Sequence, residues 1–322
     1  MIVLNREDIL RCINYNEMMD TIEDAYHAYA TGKFSMPLRL SEEMGKNKDT
    51  LLLMPCVNEL GFGTKMLTLF PENAKKGKPY IDGLMVLNDQ QVGETLAILD
   101  AKILTALRTG AVGGVAVKHL APEKAETLGL IGCGMQGYYQ AIYGATARKI
   151  KVLNIYDQRE GVLEGFAEML AKELGEQVKI NICSDSKELL ASSDIIMAAT
   201  TATEPVIADD PELIKNKCFI GIGSYKPFMI EYPRSVTELS EVIYMDTDHA
   251  LEETGDLITP LKEGWIKEDK IKLFSEIITD GGFKKPKTVF FKSVGMALFD
   301  LFAAQKIYGV AQERGIGQKI KF

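Results

Sequence analysis

The chain is poor in the residues that mark several common chemistries. Its five cysteines, Cys12, Cys56, Cys133, Cys183 and Cys218, are odd in number and scattered, with no C-x-x-C pair. That argues against a disulfide framework or a zinc-ribbon site and for reduced thiols in a cytoplasmic setting. Three histidines, His27, His119 and His249, are too few and too far apart for a metal pair or a catalytic triad. Neither H-E-x-x-H nor G-x-S-x-G occurs, which removes the basis for zinc-hydrolase and serine-hydrolase chemistry, and no metal centre is expected. The lone Trp265 reads as a packing or loop anchor. An excess of positive charge is missing too. Lys and Arg number 37 against 45 Asp and Glu, a net charge of −8, whereas a nucleic-acid partner demands a basic face. No apolar run approaches the roughly 20 residues that span a bilayer. The first residues, Met1-Ile2-Val3-Leu4-Asn5-Arg6, lack the basic-then-apolar order of a signal peptide. These absences point to a cytoplasmic protein with neither nucleic acid nor membrane as partner. There is also no internal repeat and no low-complexity segment.

What is present is ample material for a core, 46% hydrophobic against 25% charged over 322 residues, a length that favours two lobes. From Asn5 to Gly32 the spacing predicts helix, with Asn16 as a cap and Met18, Met19, Ile22, Ala25, Tyr26 and Tyr29 on one side. From Phe34 to Leu99 the period shifts toward two. Phe34 to Leu40, Thr50 to Met54, Gly63 to Leu69, Gly83 to Asn88 and Glu94 to Leu99 are strand candidates, and Asn73 to Pro79 reads as an exposed loop. Asp100 then caps a helix from Ala101 to Leu120. Its second half, Gly110-Ala111-Val112-Gly113-Gly114-Val115-Ala116, is unusually small, and each glycine inside a helix costs about 1 kcal/mol against alanine. Something must approach the backbone there, either a neighbouring element or a ligand. Pro122 marks the expected lobe boundary.

Beyond it, strand and helix alternate as in a doubly wound parallel sheet. The pivotal stretch is Leu128-Gly129-Leu130-Ile131-Gly132-Cys133-Gly134-Met135-Gln136-Gly137, a buried strand entering G-x-G-x-x-G. Gly132 makes the tight turn, Gly134 admits a pyrophosphate, and Gly137 lets the next helix pack closely with its N-terminus toward the phosphates. The next strand, Val152 to Tyr156, ends at Asp157, about 20 residues on, where a carboxylate takes the ribose hydroxyls. The pattern predicts a dinucleotide, NAD by the charge of Asp157, with Arg159 leaving NADP open. Later strands are Val178 to Ile182, Asp194 to Thr200, Cys218 to Gly223 and Val242 to Asp246. Since ligands sit at the carboxyl ends of such strands, Thr200 and Gly223 with Ser224 join the candidates. The tail from Lys292 to Arg314 reads as an amphipathic helix outside this alternation, able to return to the first lobe.

Three cations stand in apolar surroundings. Lys65 lies in Gly63-Thr64-Lys65-Met66-Leu67, Arg39 in Met36-Pro37-Leu38-Arg39-Leu40, and Arg108 in Leu104-Thr105-Ala106-Leu107-Arg108-Thr109. Taken singly, each could snorkel or pair with an acid. Taken together in an acidic chain, they suggest a pocket for a carboxylate, because unpaired buried charge is costly and arginine offers a bidentate fork.

With these residues in view, the chain resembles the ornithine cyclodeaminase/mu-crystallin family, which includes an archaeal-type alanine dehydrogenase and ketimine or imino acid reductases. The similarity rests on Leu107-Arg108-Thr109-Gly110-Ala111, Ile131-Gly132-Cys133-Gly134-Met135-Gln136 and Gly221-Ile222-Gly223-Ser224-Tyr225-Lys226-Pro227. It continues in Glu253-Thr254-Gly255-Asp256-Leu257 and Ser293-Val294-Gly295-Met296-Ala297-Leu298-Phe299-Asp300, so that it covers essentially the whole chain. The resemblance implies an α/β protein with a Rossmann-type doubly wound sheet over 122–291. It implies a second, α+β domain for substrate binding and dimerisation over 1–121, with the C-terminal helix of 292–322 packed back on it, and a homodimer. It implies that Arg39, Lys65 and Arg108 hold a substrate carboxylate, with Val294 and Gly295 at the substrate. Cofactor contacts are implied at Arg108, Met135, Gln136, Asp157, Thr200, Gly223, Ser224 and Ser293, beside Gly132, Gly134 and Gly137. The chain also departs from the cyclodeaminase pattern. Leu52 stands in place of one acid, Tyr225 in place of a catalytic aspartate, and Phe228 where reductase members often carry aspartate. The expected activity is therefore hydride transfer to or from a small α-amino, α-imino or keto acid, with Lys65 or Tyr225 as proton donor. The alternative is a cyclodeaminase-like lyase that uses bound NAD+ catalytically and releases ammonia.

Overall fold

The computed structural model describes residues 1–45, 47, 49–159, 161–279 and 283–321. The chain divides into two compact units, Met1–Arg108 with Met296–Phe322, and Thr109–Gly295. The first division falls inside a helix rather than at Pro122, and the second after Gly295 rather than before Lys292.

The first unit opens with a strand not expected from the sequence, β1 (Ile2–Leu4), followed by α1 (Arg6–Arg11) and α2 (Tyr15–Thr31). The anticipated single helix is two because two asparagines each capture helix N–H groups. Asn5 accepts from Asp8 in a capping box, and Asn14, not Asn16, accepts from Glu17. Strands β2 (Phe34–Ser35), β3 (Leu40–Met44), β4 (Asp49–Asn58), β5 (Gly61–Leu69), β6 (Ile81–Asn88) and β7 (Thr95–Asp100) follow, and then α3 (Ala101–Leu120). A 3-10 turn, Pro71–Lys76, occupies part of the expected loop. The sheet runs β1-β7-β6-β5-β4-β2, with β3 also on β4; β1 lies parallel to β7 and the other pairs are antiparallel. Strand β4 continues through Pro55, beyond the end expected at Met54. Its β3 partner stops opposite Leu53 and its β2 partner begins opposite Val57, so the edge of Pro55 that lacks an N–H faces no ladder. Alternation along β4 and β5 turns Leu52, Met54, Cys56, Lys65 and Leu67 to the buried face.

The second unit contains β8 (Thr127–Ile131), α4 (Met135–Ala147), β9 (Val152–Tyr156), α5 (Leu163–Leu174), β10 (Lys179–Ile182), α6 (Ser186–Ala191), β11 (Ile195–Ala198), α7 (Pro211–Ile214) and β12 (Cys218–Gly221). It continues with α8 (Arg234–Leu239), β13 (Val242–Met245), α9 (Ala250–Glu253), α10 (Gly255–Lys262), β14 (Ile271–Leu273), α11 (Phe274–Thr279) and β15 (Val289–Lys292). All pairings in its sheet are parallel, in the order β10-β9-β8-β11-β12-β15-β13-β14. Strands β11, β12 and β15 are buried throughout, as helices on both faces require. The strand order reverses between β8 and β11, which opens a crevice at their carboxyl ends. This is the doubly wound α/β architecture expected of the chain. Strands β14 and β15 were not anticipated; a four-residue run such as Val289-Phe290-Phe291-Lys292 carries too little period to separate strand from helix. The small half of α3 has its explanation here. A Cβ on Gly110 would lie 2.5 Å from the Tyr143 ring, and one on Gly113 would collide with the Gln140 amide, both on α4. The approaching body is a neighbouring helix, fixed by a Gln140 Nε2 donation to the Thr109 carbonyl at 2.8 Å.

The last helix, α12 (Ala297–Arg314), belongs to the first unit and is shorter than expected, since Lys292 ends a strand. It is not amphipathic in its first turns: Ala297, Leu298, Phe299, Asp300 and Leu301 are all buried. Phe299 meets Tyr26 of α2 edge to face with ring centroids 4.9 Å apart. Strand β16 (Gln318–Lys319) then pairs antiparallel with β1. Among the described residues no helix is long and apolar enough to cross a membrane, all five cysteines are free and buried, and no His, Cys, Asp and Glu group is placed to hold a metal ion.

Candidate active site

Two sets of candidate residues form, one in each unit. In the second unit, Gly132 adopts φ +101°, a conformation open to glycine, and its N–H donates to the Tyr156 carbonyl at 3.0 Å. A Cβ on Gly137 would collide with the Gly132 carbonyl, so the third glycine is required by close packing. Gly134 caps α4 with no side chain of its own, and a Cβ there would meet nothing within 4 Å. The turn thus has an open, unhindered helix N-terminus, with Met135 exposed and Gln136 half-buried beside it. The Gln136 Oε1 is buried without a hydrogen-bond partner. Asp157 lies behind the turn and accepts the Cys133 N–H at 2.8 Å. It also takes a two-pronged fork from Arg159, Nε at 2.9 Å and Nη2 at 2.7 Å. Burial works against the Asp157 charge, but the Arg159 side chain and the backbone N–H groups of Arg159 and Cys133 outweigh it and hold the carboxyl at about 2. These features fit a dinucleotide: an open helix N-terminus at Gly134 and an ionised acid just past the end of the next strand.

The remaining candidates in this unit are engaged internally. Thr200 donates its N–H (2.7 Å) and hydroxyl (2.9 Å) to Glu231. Gly223 and Ser224 donate their N–H groups to the other oxygen of the same carboxylate, at 2.8 and 2.9 Å. Ser293 donates its hydroxyl to Asp246 at 2.6 Å, and the N–H groups of Val294 and Gly295 reach that acid at 3.1 and 2.8 Å. Tyr225 follows Ser224 and is half-buried.

In the first unit, Lys65 of β5 and Arg108 of α3 converge on Asp300 of α12. Lys65 Nζ lies 2.6 Å from Oδ2, Arg108 Nε lies 2.9 Å from Oδ1, and the three side chains are 1%, 6% and 1% exposed. Arg108 Nη1 is buried without a hydrogen-bond partner. Burial pushes the Lys65 ammonium down to about 7; Asp300 pulls the other way, and Arg108 and Arg39 push further down. Arg39, half-buried between β2 and β3, is therefore within electrostatic reach of Lys65. Leu52 is on the buried face of β4, while Phe228 is 60% exposed with Lys226 over its ring at 5.9 Å.

Asp300, Glu231 and Asp246 had no assigned role in the sequence. Each is an acid beside apolar residues, as in Ala297-Leu298-Phe299-Asp300-Leu301-Phe302, and the logic applied to the three cations would have flagged them.

The family model described as the ornithine cyclodeaminase/mu-crystallin family matches residues 1–315. A Δ1-pyrroline-2-carboxylate reductase of Bacillus cereus is 34% identical over 336 aligned residues covering 100% of both chains. The solved structure of Thermococcus litoralis Δ1-pyrroline-2-carboxylate reductase in complex with NADH and L-proline superimposes with a TM-score of 0.93 at 33% identity, covering 99% of this chain and 100% of that one. An archaeal alanine dehydrogenase dimer with bound NAD gives a TM-score of 0.90 at 27% identity, covering 100% of this chain and 99% of that one. With a family model and relatives aligned over nearly its entire length, the chain belongs to the ornithine cyclodeaminase/mu-crystallin family.

Proposed function

We propose that the protein is an NAD(H)-dependent oxidoreductase that interconverts a small α-imino acid and its α-amino acid, with Δ1-pyrroline-2-carboxylate and L-proline as the first pair to test. The observation that carries this reading is a charge imbalance: two buried cations share one buried carboxylate, and a guanidinium N–H of Arg108 has no partner. A second carboxylate, the substrate's, would compensate that excess, with Arg39 assisting. In an α-imino acid the carboxylate is bonded to the reacting carbon, so gripping it also positions that carbon. The cofactor, when bound, supplies or removes the hydride. Lys65 supplies the proton that ends on nitrogen, its ammonium standing near 7, where a general acid works best at neutral pH. Tyr225 is the alternative donor of that one proton. The lyase alternative has Leu52 and Tyr225 where its two acids would stand. Incubation with the cyclic imine and NADH should consume NADH, and L-proline with NAD+ should form it; L-alanine tests the alternative amino acid. Ammonia release without net NADH would turn the assignment to the lyase, and no change at the nicotinamide band with any of these would sink it.

Two further outcomes follow. Asp157→Ala should weaken NADH about tenfold to a hundredfold, as expected for lost charge-assisted hydrogen bonds. Arg159→Ala should instead keep NADH and lower use of NADPH about tenfold, because the exposed guanidinium is the group able to meet a 2′-phosphate. Equal titration curves for wild type and Asp157→Ala would remove Asp157 from the site.

The homodimer reading draws on the face of the first sheet opposite Lys65. There Leu40, Met44, Val57, Met66 and Leu84 are exposed, and Met66 sits beside Leu84 in register. The protein should elute as a dimer in light-scattering chromatography, and Met66→Glu should shift it toward monomer. A monomeric wild type would end this reading.

A further inference from the structure

Among the buried acids to which the dinucleotide reading gives no role is the Glu231 carboxylate. It is fully buried in the second unit, between β12 and α8, and accepts four hydrogen bonds. Oε1 takes the N–H and hydroxyl of Thr200, the residue two past the end of β11; Oε2 takes the N–H groups of Gly223 and Ser224, just past β12. Adjacent parallel strands part at their carboxyl ends, so these donors have lost their ladder partners. Glu231 supplies the acceptors that the sheet no longer can. Behind it stands Lys292, the last residue of β15, fully buried, with Nζ 3.6 Å from Glu231 and 3.0 Å from Asp256. Asp256 in turn accepts the N–H groups of Glu231 and Tyr232 at 2.8 and 3.1 Å. Three neighbouring strand ends are thus tied through one carboxylate and its counter-ion.

Resting on the dinucleotide reading, we propose that Glu231 is the positioning residue of the cofactor site, fixing the loops after β11 and β12 in the arrangement that receives the nicotinamide end. A consequence is that Thr200, Gly223 and Ser224 do not offer N–H or hydroxyl donors to the cofactor. Their donors are spent on Glu231 and, for the Ser224 hydroxyl, on the Met229 carbonyl at 2.6 Å. What the loops present to a ligand is therefore not these donors but their shape. A free backbone donor there would favour a phosphate; a backbone whose donors are tied off suits the uncharged carboxamide end of a dinucleotide instead.

Glu231→Gln keeps the volume but halves the acceptors, since the amide NH2 must face either Thr200 or the Gly223 and Ser224 N–H groups. The NADH dissociation constant should rise about tenfold or more, while the KM for the imine at saturating NADH stays within about twofold. Glu231→Asp, which keeps the charge, should recover part of the affinity. A folded Glu231→Gln protein that binds NADH like wild type would reduce Glu231 to a structural role and overturn the proposal. Amide exchange on the wild-type protein tests it without any variant. The half-buried Thr200 and Gly223 amides should exchange slowly before NADH is added and no more slowly after. Amides that exchange fast alone and become protected only with NADH would show that they donate to the cofactor, against the proposal. A wild type that binds no NADH by titration removes the dinucleotide reading itself, a result separable from either outcome at Glu231.

Discussion

Replacing Asp300 by leucine is expected to cost the protein about 3–5 kcal/mol, because it strands two buried cations with no counter-charge. Lys65 and Arg108 are almost fully enclosed, so neither can reach water to recover its solvation. Against a total stability of about 5–15 kcal/mol, that loss is a large share. It corresponds to a fall in melting temperature of about 10 °C. Asn in place of Asp should cost less, since it retains shape and one acceptor. The double variant Asp300→Leu with Lys65→Met should recover part of the loss, because the two groups are in contact and their effects are not additive. Melting followed by circular dichroism decides the matter. An Asp300→Leu protein as stable as wild type would mean that the two cations find other partners.

Lys65→Met should lower kcat/KM for the imino acid by about a thousandfold while leaving the NADH dissociation constant within about twofold of wild type. The lysine is asked both to grip a carboxylate and to donate a proton, and methionine does neither. Arg108→Leu should show the same split for the grip alone. The pH profile sharpens the prediction. Burial holds the Lys65 ammonium at about 7 in the folded protein. In the proposed reaction the charged form is the working one, so kcat/KM should fall as pH rises above about 7, and that limb should be missing in Lys65→Met. Stability changes with the opposite sign. The unfolded lysine keeps its proton up to about 10.5, so between about 7 and 10.5 the unfolded chain binds more protons and the folded state gains as pH rises. A flat profile for wild type across this range, or substantial turnover by Lys65→Met, would remove Lys65 from the reaction.

Local signals in the chain matched the structure where chemistry and period coincide in a short span. Helix α3 runs over the residues that Asp100 and the helical spacing marked, from Ala101 to Leu120. The G-x-G-x-x-G turn is built as its glycines require, with the Gly132 φ of +101° and no room for a Cβ at Gly137. Other elements were hidden for identifiable reasons. Strands β15 and β16 are too short to carry a period, and β4 passes a proline only because its second edge is unpaired at Pro55. The break between α1 and α2 depended on which asparagine wins the capping, a contest of local hydrogen bonds that spacing does not resolve.

The sequence by itself determined the class of this protein. A glycine-rich turn between strand and helix, an acid at the end of the next strand and three cations in apolar runs are local facts, readable because each constrains its own few residues. Tertiary structure decided what those cations and loops are attached to. Lys65 and Asp300 are 235 residues apart in the chain, Arg108 and Asp300 are 192 apart, and Thr200 and Glu231 are 31 apart with α7 and β12 between them. No period or motif links such positions. They meet because buried donors and charges must find partners, and the fold alone determines which partner is within reach.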